Sequence, residues 1–326
     1  MSTSKNQETQ PQNNGLDTSI KGILLGLCGV TIFGATVPAT SLAVADLDPW
    51  FVTFGRATVA ATLAAIVILL TGKRLPRKLW AATFFGSLFL VIGFPGFIGL
   101  AVVTLPASHS GVVLGLFPIS TAMMAVIIAG ERPSSRFWFW SLLGAVLVTT
   151  FAIRDGTFGL EWGDIYLVCA IIVSSAGYAI SGVLSRQKPG WEVICWQLIV
   201  ASPVILIGAY VFWDDAIFTA RPSAQAGFAY VSLFSMFIGF FVWNKALAIG
   251  GIARVGQTLL IQPFVTLAIS ALILGEAISL ETYAFAAAIV MVVWFSTKAR
   301  ARSHLNYGLV SALLDKALLN ARSSQT

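Results

Sequence analysis

Long apolar runs without a single ionisable side chain recur along this chain, and nothing else in it limits the fold so severely. Gly22 to Ala45 holds no Asp, Glu, Lys, Arg or His. About 20 residues of helix cross the hydrocarbon core of a bilayer. Only 10% of the 326 residues are charged and 57% are hydrophobic, whereas soluble domains carry roughly 25% charged residues. Backbone groups in lipid must be satisfied within their own segment, so the spans are expected to be helices. A membrane barrel would show short alternating strands instead.

The runs predict ten spans: Gly22–Ala45, Phe51–Thr71, Trp80–Val102, Ala107–Ala129, Phe137–Ile153, Ile165–Leu184, Val193–Trp213, Gly227–Trp243, Val255–Leu274 and Thr282–Thr297. With the N-terminus inside, 17 of the 20 Lys and Arg fall on the cytoplasmic side, as the positive-inside rule requires. Outer loops collect Asp46, Asp48, Asp155, Glu161, Asp164, Asp214, Asp215, Glu276 and Glu281. Both termini are therefore expected in the cytoplasm of a multi-pass cell-membrane protein. The net charge of +6 reflects this asymmetry and is no sign of a nucleic-acid partner.

The chain also repeats itself. Leu114, Pro118, Thr121, Gly130 and Glu131 return as Leu259, Pro263, Thr266, Gly275 and Glu276, each 145 positions on. Cys28 with Cys169, and Trp50 with Trp191, match at 141. Five spans per half is an odd number, so the second half enters the membrane from the opposite side. The expected fold is an all-α membrane protein of ten transmembrane helices in two inverted five-helix repeats, an architecture that lets a midplane site face each compartment in turn. Residues 1–20 are expected to form a disordered cytoplasmic tail, 21–156 the first repeat, 160–298 the second, and 299–326 a cytoplasmic tail. Leu305, Leu309, Leu313 and Ala317 fall at helical spacing in that tail, which reads as an amphipathic helix on the inner leaflet.

These motifs resemble the EamA family of the drug/metabolite transporter superfamily. Its halves end in a proline-bearing helix, then Gly-Glu, then one more helix, matched here by Pro118 with Gly130-Glu131-Arg132-Pro133 and by Pro263 with Gly275-Glu276. An Arg in the second span, matched by Arg56, is also common. The resemblance covers about Lys21 to Thr297 and implies a transporter, with exporters of amino acids and related metabolites among its relatives. The second copy departs from the motif where Ala277-Ile278 replace Arg132-Pro133.

Arg56 is the one ionised side chain expected deep within a span. A charge there costs on the order of 3 kcal/mol by insertion scales, and the guanidinium fork suits a substrate carboxylate. The alternative role is that of a structural anchor. Thr31, Tyr178, Gln197, Trp243, Asn244 and Gln262 are the other candidates for a polar and aromatic cavity, each otherwise a helix–helix contact. Such a cavity suits an amino-acid-like zwitterion or a heterocycle. Pro118 and Pro263, being repeat partners, are candidate hinges, while Pro38, Pro95 and Pro203 read as packing kinks. Gly22-x3-Gly26 and Gly111-x3-Gly115 permit close helix approach within a monomer.

No Asp or Glu falls inside any expected span. That argues against the competing reading, a multidrug pump for lipophilic cations, because both cation binding and proton relay call for a membrane carboxylate. Proton coupling would have to use an edge group, Glu192 or His109. Lys245 and Arg254 read as inner-face anchors. Cys28, Cys169 and Cys195 form no CxxC, the only other histidine is His304, and no HExxH occurs. Neither a metal, a cofactor nor an enzymatic activity is expected.

Overall fold

The computed structural model describes residues 13–105, 110, 113–153, 161–274, 280–298 and 301–303. Among the described residues seven helical stretches are long and apolar enough to cross a membrane, including Ile20–Val44, Arg77–Thr104 and Pro222–Gly250, and Leu114–Ala129 and Ala287–Lys298 are shorter apolar helices. Large apolar side chains cover the outside: Leu70 is 82% exposed and Leu272 85%. A soluble protein does not display a hydrophobic belt of this extent; here lipid covers it.

Sequence chemistry sets the helix ends. Helix α1 (Asn13–Gly34) stops one residue short of α2 (Thr36–Val44), so the stretch Ile20–Val44, which answers to the expected Gly22–Ala45 span, is interrupted at Ala35. Pro38 lacks the N–H that would bond the carbonyl four residues back, and its ring crowds that carbonyl. The carbonyl is that of Gly34, and it accepts instead from Thr266 Oγ1 at 2.8 Å. Helix α3 (Pro49–Thr71) starts at Asp48, whose carboxylate accepts from the N–H groups of Trp50 and Phe51. Pro49 in its first turn lacks an N–H that would have been unpaired anyway.

The third stretch holds α4 (Trp80–Ser87), a π-helical segment Leu88–Gly93 and α5 (Phe94–Thr104). After it come α6 (Phe117–Ala129), α7 (Ser135–Ile153), α8 (Trp162–Ser185) and α9 (Gly190–Val211). The stretch Pro222–Gly250 holds α10 (Pro222–Tyr230), a second π-helical segment Val231–Ile238 and α11 (Gly239–Gly250). Last are α12 (Ile252–Gly256), the 3-10 stretch Gln257–Ile261, α13 (Gln262–Leu274) and α14 (Leu280–Lys298).

The duplicated motif folds into duplicated structure. Pro118 and Pro263 each sit second in their α-helix, after a 3-10 stretch, Leu114–Leu116 in one copy and Gln257–Ile261 in the other. Both prolines therefore occupy a first turn, where no helical hydrogen bond is lost; the irregular backbone lies ahead of them. Pro203 lies in the interior of α9.

Packing links the early helices to the late ones: α1 lies along α11, α3 along α9, α5 along α8 and α7 along α14. The first pair runs antiparallel and very close. A β-carbon on Gly22 would stand 2.5 Å from the Cα of Gly250, a backbone atom that cannot yield. Gly22→Ala is expected to lower the yield of monodisperse protein in detergent several-fold, read by fluorescence-detected size exclusion. Its small residues serve this contact inside one chain.

Two polar ends cap the bundle. One gathers Gly22, Glu131, Arg186 and Gly250. At the other, Asp214 accepts from the Asp48 N–H at 3.0 Å, and Arg221 Nη2 meets Asp46 at 2.6 Å. Hydrogen bonding from the Arg221 side chain, then from its backbone N–H, holds the Asp46 carboxyl below its ordinary 3.8. A lowered carboxyl pKa adds stability above the unfolded value and loses it as pH falls through the folded one. Asp46→Asn should therefore lower the thermal midpoint at pH 7, and the difference from the parent should shrink as pH falls below about 3.8, where the Asp46 carboxyl becomes protonated.

Residues 131–133 pair antiparallel with 301–303 as β1 (Glu131–Pro133) and β2 (Ala301–Ser303). This is a small departure from the expected all-α fold. The expected tail helix from Leu305, together with His109, Gly111 and Gly275-Glu276, lies outside the described residues.

Candidate substrate pocket

Midway between the polar ends, a narrow pocket opens among helices from both halves of the chain. Its polar lining is Thr36, Arg56, Ser235 and Gln262. The aromatic walls are Phe33, Phe94, Tyr178 and Phe240, and Val37, Leu90, Pro95 and Met236 complete it. Leu90 belongs to one π-helical segment, and Ser235 and Met236 to the other. A π-turn widens the helix and shifts side chains off the regular register, which is why such turns are frequent at functional sites. Here the wide turn places the Ser235 hydroxyl against Arg56.

Arg56 is 2% exposed. Its Nη2 donates to Ser235 Oγ at 3.0 Å, and Ser235 Oγ in turn lies 2.8 Å from Thr36 Oγ1. Its Nε has no partner. Among the described residues no carboxylate pairs with this guanidinium. A buried cation with an orphan donor is costly.

Tyr178 and Gln262 reach the pocket as the sequence suggests. Thr31 does not: it is exposed, and its hydroxyl bonds back to Leu27 O at 3.0 Å. Thr36 is the threonine that faces the cavity. Trp243 is fully buried behind the wall, 5.8 Å from Phe33 and 5.2 Å from Tyr178 between ring centres. Asn244 donates to Gly190 O at 3.2 Å, tying α11 to α9, and Gln197 donates to Ser181 at 2.8 Å, tying α9 to α8. These three side chains are buried without lining the pocket.

The first Gly-Glu motif does structural work at one polar end. Gly130 takes the left-handed conformation (φ 63°) that ends α6. Glu131 then turns inward, 2% exposed. Its carboxylate accepts from the N–H groups of Ile252 at 2.9 Å and Ala253 at 2.8 Å, and it pairs with Arg186 at 2.5 Å. One acid thus caps the start of α12 and holds the turn after α8. Glu192, proposed as an edge proton carrier, is 1% exposed and pairs with Lys188 at 3.2 Å. No cluster of His, Cys, Asp or Glu among the described residues could hold a metal ion.

A bundle of apolar helices long enough to cross a bilayer, around a central pocket with a polar, cationic lining, is the architecture of a multi-pass membrane protein. The chain belongs to the EamA-like transporter family, whose model matches residues 20–153 and again 161–298. It is 39% identical to the uncharacterised transporter YdeK of Bacillus subtilis (strain 168), over 85% of this chain and 97% of that one. A probable terminal-alkyne amino-acid exporter of Streptantibioticus cattleyicolor is 24% identical over 76% of this chain and 83% of its own. A solved crystal structure, 19% identical, superposes with a TM-score of 0.67 over 85% of this chain and 98% of that chain.

Proposed function

We propose that this transporter moves a small carboxylate-bearing organic metabolite, amino-acid-like or a related zwitterion or heterocycle, in the direction of efflux. The unpaired guanidinium of Arg56 in the central pocket carries the reading, and the name of the Streptantibioticus relative supports it. The mechanism is alternating access between two inverted five-helix repeats, 21–156 and 160–298, in a ten-span monomer with both termini in the cytoplasm.

Several contacts support the inversion. Helix α1 begins at the polar end where α8 finishes. Thr266 meets Gly34, and its repeat partner Thr121 meets Ser175 at 3.3 Å; Gly34 and Ser175 are themselves 141 apart, the offset of the first two spans. The packing of α1 on α11 is likewise repeated by that of α5 on α8. The 3-10 stretches ahead of Pro118 and Pro263 are the backbone in which a rocking motion meets least helical resistance, so the two prolines mark the hinges.

Comparing metabolites in medium and cells with and without the gene, followed by uptake in proteoliposomes, tests the function. A carboxylate should accumulate outside only when the gene is present. A pocket holding a cation and no carboxylate repels lipophilic cations, so ethidium efflux from vesicles is expected to match that of empty vesicles under any pH gradient.

A further inference from the structure

Building on the carboxylate reading above, we propose that the pocket takes its substrate as a net anion: an aryl or branched-alkyl monocarboxylate whose second functional group is uncharged. Charge complementarity leads there. The lining holds one cation, Arg56, and neutral polar groups on Thr36, Ser235 and Gln262, with no acid among them. A carboxylate on Arg56 brings the pocket to neutrality. An α-ammonium would add a second positive charge a few ångströms from the guanidinium, desolvated and without an acid to pair with. The faces of Phe33, Tyr178 and Phe240 attract a cation, but weakly compared with the loss of its hydration.

An uncharged oxygen suits the site better. The Thr36 and Ser235 hydroxyls lie 2.8 Å apart beside Arg56, and each can donate or accept by rotation. They answer an α-oxo, α-hydroxy or N-acyl group equally well. The aromatic walls then take the apolar remainder of the molecule. A 2-oxo or N-acylated acid should thus be preferred over the amino acid with the same side chain.

The test measures uptake into proteoliposomes carrying the full chain, with protein-free liposomes subtracted. The probes are labelled L-phenylalanine, phenylpyruvate, N-acetyl-L-phenylalanine and phenethylamine. Phenylpyruvate and N-acetyl-L-phenylalanine should enter at least threefold faster than L-phenylalanine, and phenethylamine not at all. Gln262→Glu, which adds an acid to the pocket, should shift the ratio of phenylalanine to phenylpyruvate uptake at least tenfold toward phenylalanine. Uptake of phenylalanine by the parent protein that is faster than, or within threefold of, that of the other two acids overturns the proposal and leaves the carboxylate reading standing, whereas uptake of phenethylamine, which has no carboxylate, overturns both. Uptake of none of the three carboxylates overturns both.

Discussion

Arg56→Lys is expected to cut transport of the proposed carboxylate substrate at least tenfold while the protein reaches the membrane at the parent level. The substitution keeps the positive charge, so a role limited to net charge predicts little change. The guanidinium differs in shape: its planar fork bonds a carboxylate through two parallel N–H groups, which a lysine ammonium cannot reproduce. In the pocket one arm of the fork is committed to Ser235, while Nε has no partner. Lysine would supply one flexible point charge and leave the Ser235–Thr36 pair without its donor. Initial rates in vesicles, normalised to protein by immunoblot, measure this. Parental rates for Arg56→Lys would remove Arg56 from the binding site.

Glu131→Ala should have the largest effect on stability of any single change outside the pocket. It strips two backbone N–H groups at the start of α12 of their acceptor and leaves Arg186 without its buried partner. Breaking one side of a fully buried pair costs about 3–5 kcal/mol, and the partial exposure of Arg186 places this loss below that range. Glu131→Gln keeps one oxygen as acceptor and loses the charge, so it should fall between the alanine variant and the parent. Thermal midpoints in detergent, followed by fluorescence-detected size exclusion, should rank parent, Gln, Ala from highest to lowest. An unchanged midpoint for Glu131→Ala would mean that the turn holds without its carboxylate.

The membrane fold was legible because it rests on composition and run length, which need no knowledge of contacts. The span predicted at Ile165–Leu184 corresponds to Trp162–Ser185, and that at Val193–Trp213 to Gly190–Val211. Arg56 stood out because a lone charge in an apolar run calls for an explanation. Its partners were hidden. Ser235 reaches it through a π-helical segment, and a register shift of that kind leaves no mark in apolar periodicity.

Thr31 lies at a suitable depth but on the exposed side of its helix. Five residues separate it from Thr36, about 140° around an α-helix at 3.6 residues per turn, and depth in the membrane says nothing of angle. Trp243, Asn244 and Gln197 show a second limit: polar groups in lipid turn inward, but most of the inside is packed wall. Glu131 was legible as a motif and illegible as a clamp, since Ile252 and Arg186 lie far from it along the chain.

Cysteine accessibility at the pocket tests alternating access most directly. In a background with Cys28, Cys169 and Cys195 replaced, Met236→Cys places one thiol on the pocket wall, and a second variant carries one in the Gly72–Lys78 loop as a reference for sidedness. Both are treated with a membrane-impermeant maleimide in right-side-out and in inside-out vesicles. The pocket cysteine should label in both preparations and the loop cysteine only in inside-out vesicles. A pocket cysteine that labels from one side alone, or a loop cysteine that labels in right-side-out vesicles, would contradict a central site shared by two oppositely threaded halves.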